Sequence, residues 1–261
     1  MPEAEARAKA TEAATRAVQL DNSLAEAHAA LGFAAMFNWE WQLSERELRR
    51  ALEINPNLAQ AHIYYGQYLC TQGKFDESVA EHKVALELDP TSQFYNQGLC
   101  AILNSAGRDD ESIQQCRRLV EMYPEVSMPH GTLSNDYFRK SDYGAALKEL
   151  QLNLTMDGQG EFSAALGKAY ATGGWNGLLK REIEFYAAPG DNYDSAAVAA
   201  LYSDLGDKGN AFLWLNKAYE DHALLFIKCG REFENLHGDP RYAEILRKMG
   251  LPEEYVRGIG G

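Results

Sequence analysis

Cysteine, basic residues and long apolar runs are all in short supply in this chain, and each shortage excludes a class of protein. Only four of its 261 residues are cysteine (Cys70, Cys100, Cys116 and Cys229), and none stands in a CxxC pair. Zinc-ribbon and thioredoxin-like readings therefore fail. Buried free thiols are the expected state, although Cys100 and Cys116 sit at facing positions where they could come close. No apolar run approaches the roughly 20 residues that span a bilayer. Glu3 to Ala17 is charged and alanine-rich where a signal segment would be apolar. A cytoplasmic location is expected, unless the chain is cut from a longer, membrane-anchored protein. The 25 Lys and Arg face 38 Asp and Glu, a formal charge of −13. Such a surface repels phosphate backbones, so nucleic acid is not expected as a direct partner. The sequence also has no P-loop, no Rossmann glycine fingerprint and no Ser/His/Asp arrangement in a strand–turn–helix setting. No catalytic residue, cofactor or metal site is assigned, and an enzyme is not expected.

What the chain does have is a repeat. From Ala59, two amphipathic helical patterns are separated by Gln72-Gly73-Lys74 and closed by Asp89-Pro90. His62, Tyr65, Gly66 and Leu69 share one helical face; Ser78, His82, Ala85 and Leu86 repeat it, and Pro90 forbids another turn. The same punctuation returns from Ala25 (His28, Leu31, Gly32, Ser44, Leu48, Ala51, Pro56), from Gln93 (Asn96, Leu99, Gly107, Ser112, Cys116, Leu119, Pro124) and from Ser127 (His130, Leu133, Tyr137, Ala146, Leu150). Starts at 25, 59, 93 and 127 are 34 apart. Weaker copies begin at Gly160 and Asn192. A period of about 34 residues is that of tetratricopeptide (TPR) repeats, and the chain resembles that family.

The resemblance implies an all-α, right-handed solenoid of antiparallel helix pairs, divided into four parts. Residues 1–24 form a partial repeat with only its second helix, and residues 25–158 four regular repeats. Residues 159–220 hold two degenerate repeats, and 221–261 capping helices. The lone leading helix reads either as the remnant of a longer chain or as an alanine-rich end cap. In repeat one, Trp39 and Trp41 stand in the turn; they read as a partner contact or, preferably, as wedges covering that turn. In repeat five, Gly173-Gly174-Trp175-Asn176-Gly177 marks a glycine-rich turn. Asp221 to Lys228 reads as a short helix packed on repeat six. Asp239-Pro240 opens a last helix whose buried face is Tyr242, Ile245, Leu246 and Met249. Gly66 and Gly167 stand where paired helices of the family approach closely.

The C-terminal signature is more specific. Gly206-Asp207-Lys208-Gly209-Asn210-Ala211-Phe212-Leu213-Trp214-Leu215, with Gly238-Asp239-Pro240-Arg241-Tyr242 and Asn38-Trp39-Glu40-Trp41, is similar to TPR regions of bacterial winged-helix regulators, serine/threonine kinases and nucleotide cyclases. That similarity implies a sensing or docking module whose output domain lies elsewhere. Arg231-Glu232-Phe233 departs from it, where the class has Asp-Pro.

His28, His62 and His130 recur at one repeat position and form a row. They are read as packing residues, because the pattern offers no evident carboxylate or cysteine neighbours for a metal. The resemblance places the partner on a concave face lined by the first helix of each repeat. Its candidate contacts are Phe33, Met36, Gln60, Ile63, Gln67 and Phe94, followed by Gln97, Asn104, Met128, Asn135, Phe138 and Lys168. Amides can bond a peptide backbone while aromatics and Met pack on its side chains. The four regular repeats carry no Lys or Arg at these positions, so a neutral or basic protein segment is expected rather than an acidic one. The alternatives are a self-association scaffold using the N-terminal half-repeat, and a small-molecule sensor with a pocket inside the curl.

Overall fold

The computed structural model describes residues 3–253. Among them are thirteen α-helices, one 3-10 helix and no strand. After α1 (Glu3–Leu20) come the pairs α2 (Ala25–Phe37) with α3 (Trp41–Ile54), α4 (Ala59–Thr71) with α5 (Phe75–Leu88), α6 (Gln93–Ser105) with α7 (Asp109–Met122), and α8 (Met128–Arg139) with α9 (Tyr143–Met156). Then follow α10 (Gly160–Tyr186), the pair α11 (Ser195–Asp204) and α12 (Lys208–Glu220), a 3-10 turn (Arg231–Leu236) and α13 (Pro240–Lys248). The helix starts reproduce the repeat frame, so the all-α solenoid of helix pairs is what the sequence dictates.

The turn inside a repeat needs one left-handed residue. Glycine supplies it at Gly73, Gly107 and Gly206, with φ of 78°, 74° and 77°. The equivalent positions of repeats one and four hold Trp39 (φ 60°) and Ser141 (φ 62°). A side-chained residue there carries strain on the order of 1–3 kcal/mol that its surroundings must offset. Side-chain oxygens of Ser92, Asp142, Asp194, Asp207 and Asp239 cap the helices that follow them.

A recurring polar pair ties the two helices of each regular repeat. His28 Nδ1 lies 2.6 Å from Glu47, His62 Nδ1 2.6 Å from Glu81, and His130 Nδ1 2.6 Å from Glu149. In repeat three the same places hold a neutral version, Gln115 donating to Asn96 at 2.9 Å. The other nitrogens of His28 and His62 face the carbonyls of Asn22 and Pro56, and Asn96 donates to the carbonyl of Pro90. His28, His62 and Asn96 thus anchor the first helix to the second and to the preceding loop, while His130 ties α8 to α9. The carboxylates that the sequence reading missed stand nineteen positions after each histidine. For His62 the hydrogen bond with Glu81 holds the imidazole above its ordinary value against the opposing effect of burial.

Repeat five keeps the glycine-rich turn: α10 breaks at Gly174 (φ 60°, ψ −156°), and its second arm returns along the first, with Phe185 stacked on Phe162 at 3.7 Å. The structure departs from expectation in three places. Asp221 to Cys229 is a series of turns rather than a helix, and Arg231-Glu232-Phe233 opens the 3-10 turn. The cysteines are not free thiols, because Cys70 is joined to Cys229 and Cys100 to Cys116. Finally, the C-terminal segment does more than cap repeat six. Leu224, Ile227, Phe233, Leu236, Tyr242, Leu246 and Met249 share one apolar core with Met36, Trp41, Leu48, Tyr65 and Leu69 of the first two repeats.

Two expectations follow from the packing. A Cβ on Gly66 would lie 2.5 Å from Nδ1 of buried His82, which is held by the carbonyl of Ser78 at 2.8 Å. On Gly167 it would meet only the flexible end of Gln151, at 2.8 Å. Gly66→Ala should cost about 1–3 kcal/mol, whereas Gly167→Ala should stay within about 0.5 kcal/mol of the parent; denaturant titration of both variants tests this, and the reverse order contradicts the packing. Ending the chain before Asp239 should strip Trp41 of its cover and lower the melting temperature by about 10 °C or more. A truncated chain that is monodisperse and melts unchanged would refute the shared core.

Candidate functional site

The inner positions predicted from the repeat are divided by the returning C-terminal segment. Met36 and Ile63 are both 0% exposed, so neither can touch a ligand on the native surface. The repeat frame misassigned them because it took no account of what covers Met36. Phe33 is half-buried and stacks on Tyr64, with ring centroids 4.0 Å apart. Gln67 is half-buried, and its Oε1 has no hydrogen-bond partner among the described residues. Asn104 is turned to its neighbour and donates to Asp136 at 2.6 Å. Asp136 is fully buried, and burial pushes its carboxyl up to about 6 despite the Asn104 and Ser112 hydrogen bonds.

Other members of the set remain accessible. Phe94 is 49% exposed, a large share for a phenylalanine. Gln60 is exposed and donates to the Tyr64 hydroxyl at 2.8 Å. Gln97 and Met128 are half-buried; Asn135 and Lys168 are exposed. Gln60, Phe94, Gln97 and Met128 come from the starts of α4, α6 and α8, away from the intra-repeat turns.

At the turn ends the C-terminal segment takes over. Trp41 donates its indole N–H to the carbonyl of Met249 at 2.6 Å. Trp39 stacks on His222 with centroids 3.7 Å apart and on Tyr219 at 5.5 Å. These tryptophans neither await a partner nor merely cover their own turn; they receive the chain's far end. Fully buried Lys228 donates to the carbonyls of Gln72, at 3.3 Å, and Pro252, at 3.0 Å. Arg231 pairs with Asp109, and Arg139 of α8 lies 3.2 Å from Asp204 of α11.

Behind these contacts lies a cavity of about 370 Å³ between α8, α10 and α11. Of the predicted residues only Asn135 and Phe138 line it. Sequence reasoning missed the rest: the aromatics Trp175 and Tyr186, and the carboxyls of Glu182, Asp194, Asp204 and Glu232. Phe138 and Trp175 stack with centroids 5.0 Å apart. Glu182 is 9% exposed, and neither hydrogen bond nor ion pair engages its carboxyl among the described residues. Burial first, and then Asp204, push it up to about 8. Asp204 is itself raised to about 6 by burial, which outweighs Arg139. Among the described residues no group of three or more His, Cys, Asp or Glu side chains could hold a metal ion, and no helix is long and apolar enough to cross a membrane.

No family model and no curated protein matches the chain. Solved structures match its fold. PilW, a widely conserved type IV pilus biogenesis factor, aligns at 15% identity and TM-score 0.55, over 89% of this chain and 91% of its own. PilF of Pseudomonas aeruginosa aligns at 18% and 0.54, over 80% and 96%. YrrB aligns at 17% and 0.50, over 63% and 85%. The chain is a TPR-like solenoid. Identities this low carry the fold alone. The TPR-like architecture accounts for the helix pairs, while the cavity lies where the fourth repeat meets the less regular helices α10 and α11.

The raised Glu182 has a measurable consequence. Between its ordinary value of 4.5 and about 8 the folded chain binds more protons there than the unfolded chain. Stability contributed by this group is therefore lost as pH rises through that window. Glu182→Gln should raise unfolding free energy by several kcal/mol at pH 8.5 and by about 1 kcal/mol or less at pH 5. A gain that does not grow with pH would contradict the burial of an unpaired carboxyl.

Proposed function

We propose that the chain is a non-catalytic scaffold that holds an extended protein segment against the exposed part of its inner face. Such a scaffold suits the regulatory or docking module of a bacterial signalling or transcription-regulating protein. The observation that carries this reading is Phe94, a half-exposed aromatic in a row otherwise made of amides and Met128. A flat apolar ring beside amide donors and acceptors serves a bound backbone and its side chains together. YrrB, which shares this fold, is described as a TPR protein with an unusual peptide-binding site, and that supports the same use of the architecture here.

Charge sets the kind of segment. The open row Gln60, Phe94, Gln97, Met128 and Asn135 has no cation, and Lys168 stands apart on α10. A terminal carboxylate entering it would lose water without gaining a charged partner. The preferred segment is internal, neutral or basic, and carries apolar side chains.

Fluorescence anisotropy with labelled peptides tests the proposal. A basic-apolar peptide should bind in the micromolar range, and Phe94→Ala should weaken it about tenfold or more, roughly 1.4 kcal/mol. Micromolar binding of an acidic C-terminal peptide that survives Phe94→Ala would overturn it.

A further inference from the structure

The cavity between α8, α10 and α11 is lined by a carboxyl that no donor among the described residues engages. It is that of Glu182, which projects from the second arm of α10 and is more than nine-tenths buried. Asp204, across the cavity, has Arg139 at 3.2 Å. Asp194 accepts the amide of Ala197 as a helix cap. Glu182 therefore differs from its acidic neighbours, whose roles are structural. A buried carboxyl without a donor is expensive unless something else supplies one.

The walls narrow the chemistry of that donor. Phe138 and Trp175 form a stacked aromatic side, and Tyr186 adds a third ring. Aromatic faces beside a carboxylate favour a cation with an apolar stem, since the ring attracts the charge and covers the methylenes. The indole Nε1 of Trp175 is closed even to water, so an occupant of the cavity meets the ring and not its N–H. A volume of about 370 Å³ is at the small end of ligand sites and suits one long side chain. Asn135, exposed at the cavity's edge, comes from the same helix as Met128 and connects the cavity to the accessible row.

We propose that this cavity is the subsite for one basic side chain, arginine or lysine, of the segment held on the inner face, with Glu182 as its charge partner and Phe138 and Trp175 as its aromatic wall. The inference rests on the scaffold reading above and adds a specificity pocket to it.

The test uses the full chain with three probes: the blocked tripeptide acetyl-Leu-Arg-Phe-amide, the same peptide with neutral citrulline for arginine, and agmatine as a free guanidinium. The readouts are the indole N–H resonance of Trp175, assigned with Trp175→Phe, and calorimetric affinity. The arginine peptide should shift that resonance saturably, bind at least tenfold tighter than the citrulline peptide, and lose that advantage in Glu182→Gln. Equal binding of the arginine and citrulline peptides to the unmodified chain would overturn the proposal without recourse to any variant. Agmatine matching the arginine peptide at Trp175 would overturn the peptide source and leave a site for free organic cations. Peptide binding that Phe94→Ala weakens while the Trp175 resonance stays unmoved would overturn the subsite and leave the scaffold reading standing.

Discussion

Around the hydrogen bond from Trp41 to the carbonyl of Met249, two stretches of chain 208 residues apart share one apolar core, and the rest of the molecule is arranged by that closure. An ordinary solenoid grows by nearest-neighbour stacking, each repeat knowing only the next. Here repeat one is stacked on repeat two and also sealed by the end of the chain. The left-handed backbone at Trp39 fits this picture. Glycine would relieve the strain at that position, but it would remove the ring that stacks on His222 and Tyr219. The sequence keeps the tryptophan and accepts the backbone cost, because the indole stacks on Tyr219 and His222.

Closure also redistributes the inner face. Where the first helices meet their turns, Met36, Gln72 and Asp109 are engaged by the chain itself. Where the same helices begin, Gln60 and Phe94 stay open to solvent. The accessible residues are left as a narrow strip, and Asn135 stands between it and the cavity beside α8, α10 and α11. The His–Glu pairs explain why the strip is rigid enough to matter. Each one fixes the start of a first helix to its partner helix, and His62 also holds the loop before it, so Gln60 and Met128 project from anchored backbone.

How much of this could be read from the sequence follows from what each feature depends on. Helix boundaries depend on local periodicity and on Gly and Pro punctuation, so α2 to α9 fall within a residue or so of the repeat frame. The His–Glu pairs were also readable, since Glu47, Glu81 and Glu149 recur at the repeat period; each stands nineteen positions from its histidine, on the partner helix, and not beside it in sequence. The buried state of Met36 was not readable, because it depends on residues about two hundred positions away that obey no repeat. Glu182 was hidden for a different reason. It lies beyond the break at Gly174, in the segment where the periodic frame had slipped, and a solvated glutamate on a helix looks the same in sequence as a buried one.

The same break shows what the degenerate half keeps of the repeat. At Gly174 the chain reverses, and Phe185 of the second arm stacks on Phe162 of the first with ring centroids 3.7 Å apart. The two arms of α10 therefore pair as α8 and α9 do, although no repeat frame marks them clearly. Trp175 and Glu182 sit on the returning arm and line the cavity together with α8 and α11. A carboxyl at position 182 in place of an apolar residue weakens the packing of that arm least where it is protonated, because burial and the neighbouring Asp204 oppose its charge.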